Sequence, residues 1–167
     1  ALKMLLSLAM TEGVGYEKGK KEKGMKLEFI DVKRAYFQAD ARRPVYVSLP
    51  DEDFEEGFCG RLLKSMYGTR DAAQNWEDEY DKFMTSIGFV RGVVLPCLFF
   101  HRENNLRAVI HGDDFTILGH ANQLDWFKEQ INNTFVVKFK GRLGPEAKDD
   151  KQIRVLNRLV EWTDSGI

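Results

Sequence analysis

The sequence has little of what several common site chemistries require. It contains two cysteines, Cys59 and Cys97, far apart, outside any Cys-x-x-Cys motif and with no histidine at ligand spacing. That argues against a zinc site and makes a reducing intracellular setting the default. It lacks an excess of charge: the formal net charge is -1, so nothing in the total pulls the chain toward nucleic acid or a membrane. It also lacks a long apolar run. ALKMLLSLAM, residues 1–10, is too short and too interrupted to span a bilayer, and no basic region precedes it as in a signal peptide. The expectation is an intracellular chain, in cytoplasm or nucleus, not secreted and with no membrane partner. Asn132-Asn133-Thr134 matches the glycosylation pattern but means little without a secretory signal. There is no internal repeat and no low-complexity tract. The glycine- and lysine-rich stretch VGYEKGKKEKG is not a phosphate-binding P-loop, because its glycine spacing is wrong and no Ser or Thr follows the lysine pair.

What is present is a globular composition. Of 167 residues, 43% are hydrophobic and 31% charged, enough for about one domain with a real core. Lys18, Lys20, Lys21, Lys23, Lys26, Lys33 and Arg34 crowd the first part, and Asp51, Glu52, Asp53, Glu55 and Glu56 form an acidic block. The plain reading of both runs is solvated loops. The chain opens mid-pattern and ends on WTDSGI without a clear stop, so it reads like a fragment.

The patterning predicts strands and helices in mixed order. ALKMLLSLAMTEG reads as a short helix closed by Gly13, and MKLEFIDV as a half-buried strand. VYV before Pro50 and GRLLKSMYG are further extended candidates. DAAQNWEDEYDKFMTSIG is the best helix, with Ala72, Ala73, Trp76, Tyr80, Phe83, Met84 and Ile87 on one apolar face. CLFFHR and LRAVI form a hairpin about Asn104-Asn105, and HGDD turns the chain into FTIL. ANQLDWFKEQINN supplies a second helix, and FVVKFK and IRVLNRLVEW close as strands around a polar loop containing Gly144-Pro145. Successive hairpins without regular βαβ alternation predict an α+β fold.

Three carboxylates stand out in this pattern. Asp113 and Asp114 follow Gly112 between two apolar runs, and Asp31 ends an apolar strand. An adjacent acid pair is equally at home in a solvated turn, and Gly112 suits any tight turn. If the Asp31 strand lies beside the LRAVI–FTIL hairpin, however, the acids converge on stiff backbone. Converging carboxylates repel one another, which makes them a poor structural device but a good one for magnesium, a hard ion that takes carboxylate oxygens. Two such ions suit phosphoryl displacement. A strand-end Asp with a hairpin Asp-Asp is the arrangement of palm-type nucleotide polymerases.

From Asp31 to about Gly119 the chain resembles the reverse transcriptase of copia-type retrotransposons. Asp31-Val32-Lys33-Arg34-Ala35-Tyr36-Phe37, then Val45-Tyr46-Val47 and Pro50, is similar to that family's first motif. Leu62-Leu63-Lys64-Ser65-Met66-Tyr67-Gly68 with Trp76 matches its central block. Gly88-Phe89 and Cys97-Leu98-Phe99 match its next strand, and His111-Gly112-Asp113-Asp114 through Gly119 takes the place of its Tyr-Val-Asp-Asp segment.

The resemblance implies a palm-like antiparallel sheet with helices packed on one face. It implies an RNA-directed DNA polymerase that uses two Mg2+ ions, with Mn2+ as a substitute. The implied partners are an RNA or DNA template with primer and deoxynucleoside triphosphates. Asp31 and Asp113 would be the principal metal ligands, and Asp114 a supporting carboxylate. Tyr36 would lie under the incoming sugar and exclude a 2′-hydroxyl, Tyr67 and Gly68 would support nucleotide and template, and Arg70 would touch a phosphate.

The chain departs from the family in His111-Gly112 for Tyr-Val and in Thr69 to Gln74, which keeps Arg70 but lacks the Pro and the second basic residue and adds an acid; Leu95 stands where an Asp is common. The expected organisation is a partial reverse transcriptase domain over 1–167, mostly palm, without the N-terminal fingers region, and with a divergent loop and strand over 141–167. Two rival readings stand beside it: an inactive palm relic that folds and binds nucleic acid without polymerising, and another two-metal palm enzyme such as a nucleotide cyclase.

Overall fold

The computed structural model describes every residue, 1–167, and divides into two compact units. One comprises Ala1–Lys33 with Met84–Ile167, and the other Arg34–Phe83.

The first unit is built on a six-stranded antiparallel sheet in the order β4-β5-β6-β7-β1-β8. The strands are β1 (Lys26–Val32), β4 (Val90–Arg91), β5 (Leu98–His101), β6 (Leu106–His111), β7 (Asp114–Gly119) and β8 (Val137–Leu143). The two predicted hairpins, β5–β6 and β6–β7, are therefore consecutive, and β1 pairs with β7. Register fixes the two faces. Leu27, Phe29 and Asp31 stand opposite Leu118, Thr116 and Asp114. Those continue across the sheet to Arg107, Val109 and His111.

The apolar part of this face is covered by Leu5 and Ala9 of α1 (Leu2–Ala9) and by Val155, Val160 and Trp162 from the C-terminal segment. The opposite face receives α4 (Ala121–Thr134), which buries Leu124, Phe127 and Ile131. Phe127 meets Phe89 edge-on at 5.7 Å, and Trp126 meets His101 at 5.1 Å. The spacing of Leu124, Phe127 and Ile131 is that of one helical stripe, which is why this segment folds as a helix against a sheet.

Two sequence expectations change here. The first strand is not half-buried: every β1 residue except Asp31 is buried, because the strand lies inside the sheet, between β7 and β8, and is covered on both faces. Its alternating Lys26 and Glu28 suggested a wet face, yet both are buried ions with partners. Lys26 donates to Asp149 at 2.8 Å and to Glu146 at 2.7 Å, and Arg142 pairs with Glu28. Secondly, IRVLNRLVEW is not one strand but a hairpin of β9 (Gln152–Val155) and β10 (Arg158–Glu161). Its two loop residues, Leu156 and Asn157, have φ of 48° and 59°, the pattern of a type I′ turn.

The second unit holds α2 (Ala35–Gln38), the short pair β2 (Tyr46–Val47) and β3 (Gly60–Arg61), and α3 (Ala72–Ser86) as far as Phe83. Of the extended run GRLLKSMYG, only Gly60–Arg61 is strand. The rest is held by specific bonds: Ser65 N–H donates to Ala39 O, Ser65 Oγ to Asp40 O, and Asn75 Nδ2 to Ser65 Oγ at 3.0 Å. That last bond explains a shift in the helix face. Asn75 is buried and Ala73 is exposed, although hydrophobicity alone ranks them the other way.

Candidate metal centre

Asp31 is the penultimate residue of β1, Asp114 opens β7, and Asp113 lies in the turn between β6 and β7. Asp31 and Asp114 are direct partners across the β1–β7 ladder. The backbone N–H of Val32 donates to the carbonyl of Asp113 at 2.9 Å, so the turn is tied to the strand that carries Asp31. The result is one carboxylate oxygen from each of the three residues, all within 4.8 Å of one another. Asp113 is exposed, and the side chains of Asp31 and Asp114 are 28% and 19% accessible.

The turn that carries Asp113 has two central residues, Gly112 and Asp113, between the paired His111 and Asp114. Gly112 has φ +63° and Asp113 is not at positive φ, which is the form of a type II′ turn with glycine first. Glycine in place of a branched residue therefore has a local reason here. A Cβ at this position meets nothing within 4 Å, so Gly112→Ala is a purely backbone change. It is expected to lower stability by about 1–2 kcal/mol, measured by urea denaturation.

Like charges placed directly across a ladder are destabilising. The compensating cation is Lys140 of β8, whose Nζ lies 2.6 Å from Asp114 Oδ1 and 3.0 Å from Asp31 Oδ1. Burial alone would lower the pKa of this ammonium, but hydrogen bonds and charge from Asp114 and Asp31 outweigh it and hold the group above lysine's ordinary value. The donor set fits a hard divalent cation. It is all carboxylate, it hangs on paired backbone, and it already accommodates one positive charge.

Lys140 was not anticipated from the sequence. The only local hint is FKG, a lysine just before a glycine inside a strand, where a glycine often marks a bulge. Beside His111 a cavity of about 430 Å3 is lined by His111, Lys3, Cys97, Leu156 and Arg158, among others. Its cationic side chains come from α1 and from β10, neither of which the sequence associates with the acids.

In the second unit Tyr36 and Tyr67 come together, their ring centroids 4.4 Å apart and tilted by 32°. Phe37 meets Tyr67 at 5.6 Å. Tyr36 is half-buried, Tyr67 and Arg70 are exposed, and Gly68 has φ +90°. The Ser65 bonds described above bring the Leu62–Gly68 block against the α2 segment, and so bring Tyr67 to Tyr36.

Comparison with known proteins identifies the family. A family model described as reverse transcriptase (RNA-dependent DNA polymerase) matches residues 19–147. The retrovirus-related Pol polyprotein from transposon TNT 1-94 of Nicotiana tabacum is 32% identical over 125 residues, covering 70% of this chain and 9% of that protein. The corresponding polyproteins from transposons RE2 and RE1 of Arabidopsis thaliana are similar as well. RE2 is 29% identical over 101 residues, which cover 57% of this chain and 7% of that protein. RE1 is 28% identical over 130 residues, which cover 71% and 9%. The chain thus spans under a tenth of the length of these relatives.

Proposed function

For a chain that belongs to the reverse transcriptase (RNA-dependent DNA polymerase) family, we propose that residues 1–167 form a polymerase palm segment of a copia-type element, acting in template-directed DNA synthesis. The observation that carries the reading is the convergence of Asp31, Asp113 and Asp114 within 4.8 Å on paired backbone. In the reaction, the primer 3′-hydroxyl oxygen forms a bond to the α-phosphorus of a deoxynucleoside triphosphate, and the bond to the departing pyrophosphate breaks. Asp31 and Asp113 would be the principal ligands for magnesium, with Asp114 in support. Magnesium held there would supply charge stabilisation to the phosphoryl displacement and favour the ionised hydroxyl.

The chain's own groups do the positioning. The β1–β7 ladder and the bond from Val32 to Asp113 keep the carboxylates from spreading. His111, Lys3 and Arg158, around the neighbouring cavity, offer positive and hydrogen-bonding groups to primer phosphates. Tyr36, backed by Tyr67, presents a flat ring to the incoming sugar and rejects a 2′-hydroxyl by bulk; Gly68 and Arg70 lie in the segment that supports nucleotide and template. The second reading, a palm that folds without polymerising, is favoured by one observation: Lys140 already satisfies two of the three acids.

Primer extension on an RNA template with magnesium tests the assignment. Asp113→Asn is expected to lose about a thousandfold or more in rate, since a metal ligand secures several kcal/mol of transition-state stabilisation. Equal extension by both chains would overturn the role given to Asp113, and extension by neither would favour the inactive palm.

A further inference from the structure

We propose that Lys140 is a tethered counter-cation: it holds the carboxylate cluster together in the metal-free chain and has to withdraw when a divalent ion enters. The proposal rests on the reading of Asp31, Asp113 and Asp114 as a metal site, and it adds a residue that neither the family match nor the sequence motifs assign.

The argument begins with register. On β8 the residue opposite Asp31 is Lys138, and Phe139 stands opposite Ile30. The next ladder partner, Phe29, is matched not by Lys140 but by Gly141. Lys140 is therefore the extra residue of a β-bulge, a device that re-aims one side chain out of the regular pleat. The re-aimed side chain reaches past Asp31 to Asp114 on the strand beyond, so that a single ammonium spans both charges.

The bulge is held from outside the sheet. Gly141 has φ +154°, and a Cβ there would fall 2.5 Å from Asp150 Oδ2. That same oxygen accepts the backbone N–H of Arg142 at 2.9 Å, and the N–H of Asp150 donates to Arg142 O at 2.8 Å. The segment after β8, in which Asp150 lies beyond the matched residues 19–147, thus maintains the geometry that aims Lys140.

The consequence is competition. Magnesium takes carboxylate oxygens at about 2.0–2.1 Å, and manganese makes similar demands. An ammonium bonded to Oδ1 of both Asp31 and Asp114 engages one oxygen of each carboxylate and sets a positive charge beside the place of the ion. Lysine is suited to giving way, being a point charge on a flexible four-carbon stem, and the Lys140 side chain is 29% accessible. Divalent-ion affinity is therefore lower than the bare triad would have, and the metal-free fold is spared the Asp31–Asp114 repulsion.

Mn2+ titration of the full chain, with free ion counted by electron paramagnetic resonance, tests this. Lys140→Gln is expected to bind Mn2+ at least about tenfold more tightly, because the two charge-assisted hydrogen bonds to Asp31 and Asp114 no longer have to be broken. Lys140→Arg, which keeps the cation, is expected to stay near the parent affinity. Without metal, Lys140→Gln should melt at a lower temperature than the parent, and added Mn2+ should raise its Tm by more. A purely structural lysine would give a lower Tm with unchanged or weaker Mn2+ binding, and that result would overturn the proposal while leaving the metal site intact. If Asp113→Asn binds Mn2+ as the parent does, the metal reading itself fails. If neither parent nor Lys140→Gln binds, both fail. Binding by Lys140→Gln alone supports the counter-cation and points to a parent chain locked by it.

Discussion

Lys26→Met is expected to destabilise the chain by about 3–5 kcal/mol in urea denaturation, the range seen when one partner of a buried ion pair is removed. Lys26 opens the interior strand β1 with its side chain 2% accessible, and the Asp149 carboxylate that it meets at 2.8 Å is 3% accessible. Methionine fills much of the same volume, so packing changes little and the loss is electrostatic. Asp149 would keep the N–H of Glu146, at 2.9 Å, but its charge would be left buried without a cation. The contact also joins residues 123 apart in the chain, so its loss removes one of the anchors of the loop between β8 and β9. Lys26→Met with Asp149→Asn should recover part of the deficit, because a neutral amide removes the stranded charge. A cost under about 1 kcal/mol for the single change would put the pair with solvated surface bridges, contrary to its burial.

Phe127→Ala is expected to cost about 3–5 kcal/mol, as large-to-small changes of a buried aromatic do. Phe127 is fully buried on α4, between Leu124 and Ile131 on the same stripe, with its ring against Phe89. Alanine would leave a cavity between helix and sheet and remove an edge-to-face ring contact. Val94→Ala supplies the contrast: Val94 is 90% accessible, and its truncation should fall within about 0.5 kcal/mol of the parent. If the two variants had equal stability, α4 would not be packed as described.

Much of the candidate site was legible in the sequence, for a physical reason. Asp113 and Asp114 sit between two short apolar runs that read as a hairpin, so their place in its turn follows from local pattern. Asp31 ends an apolar run that reads as a strand. Lys140 was not legible in the same way. In FVVKFK it alternates with Lys138 as an exposed strand residue would, and Lys138 is the one in register with Asp31. Only the bulge decides between them. Lys26 and Glu28 misled in the opposite sense, since a charge in a strand reads as a solvent face unless its buried partner is known. The hairpin at Leu156-Asn157 was missed because Leu156 is a poor residue for positive φ, and the tertiary context imposes the turn.

By itself the sequence determined the reverse transcriptase family, the α+β class, the consecutive β5–β6 and β6–β7 hairpins with the helices α1, α3 and α4, and the three acids as candidates. These depend on short-range spacing: period along a strand or helix, turn residues, and motif order. The tertiary structure alone decided that β8 lies beside β1, that its bulge delivers Lys140 to Asp31 and Asp114, and that Lys26 and Glu28 are buried with partners from the C-terminal part. Those facts depend on which distant strands pair and in what register. A one-residue slip there turns a side chain to the other face with no change in local pattern.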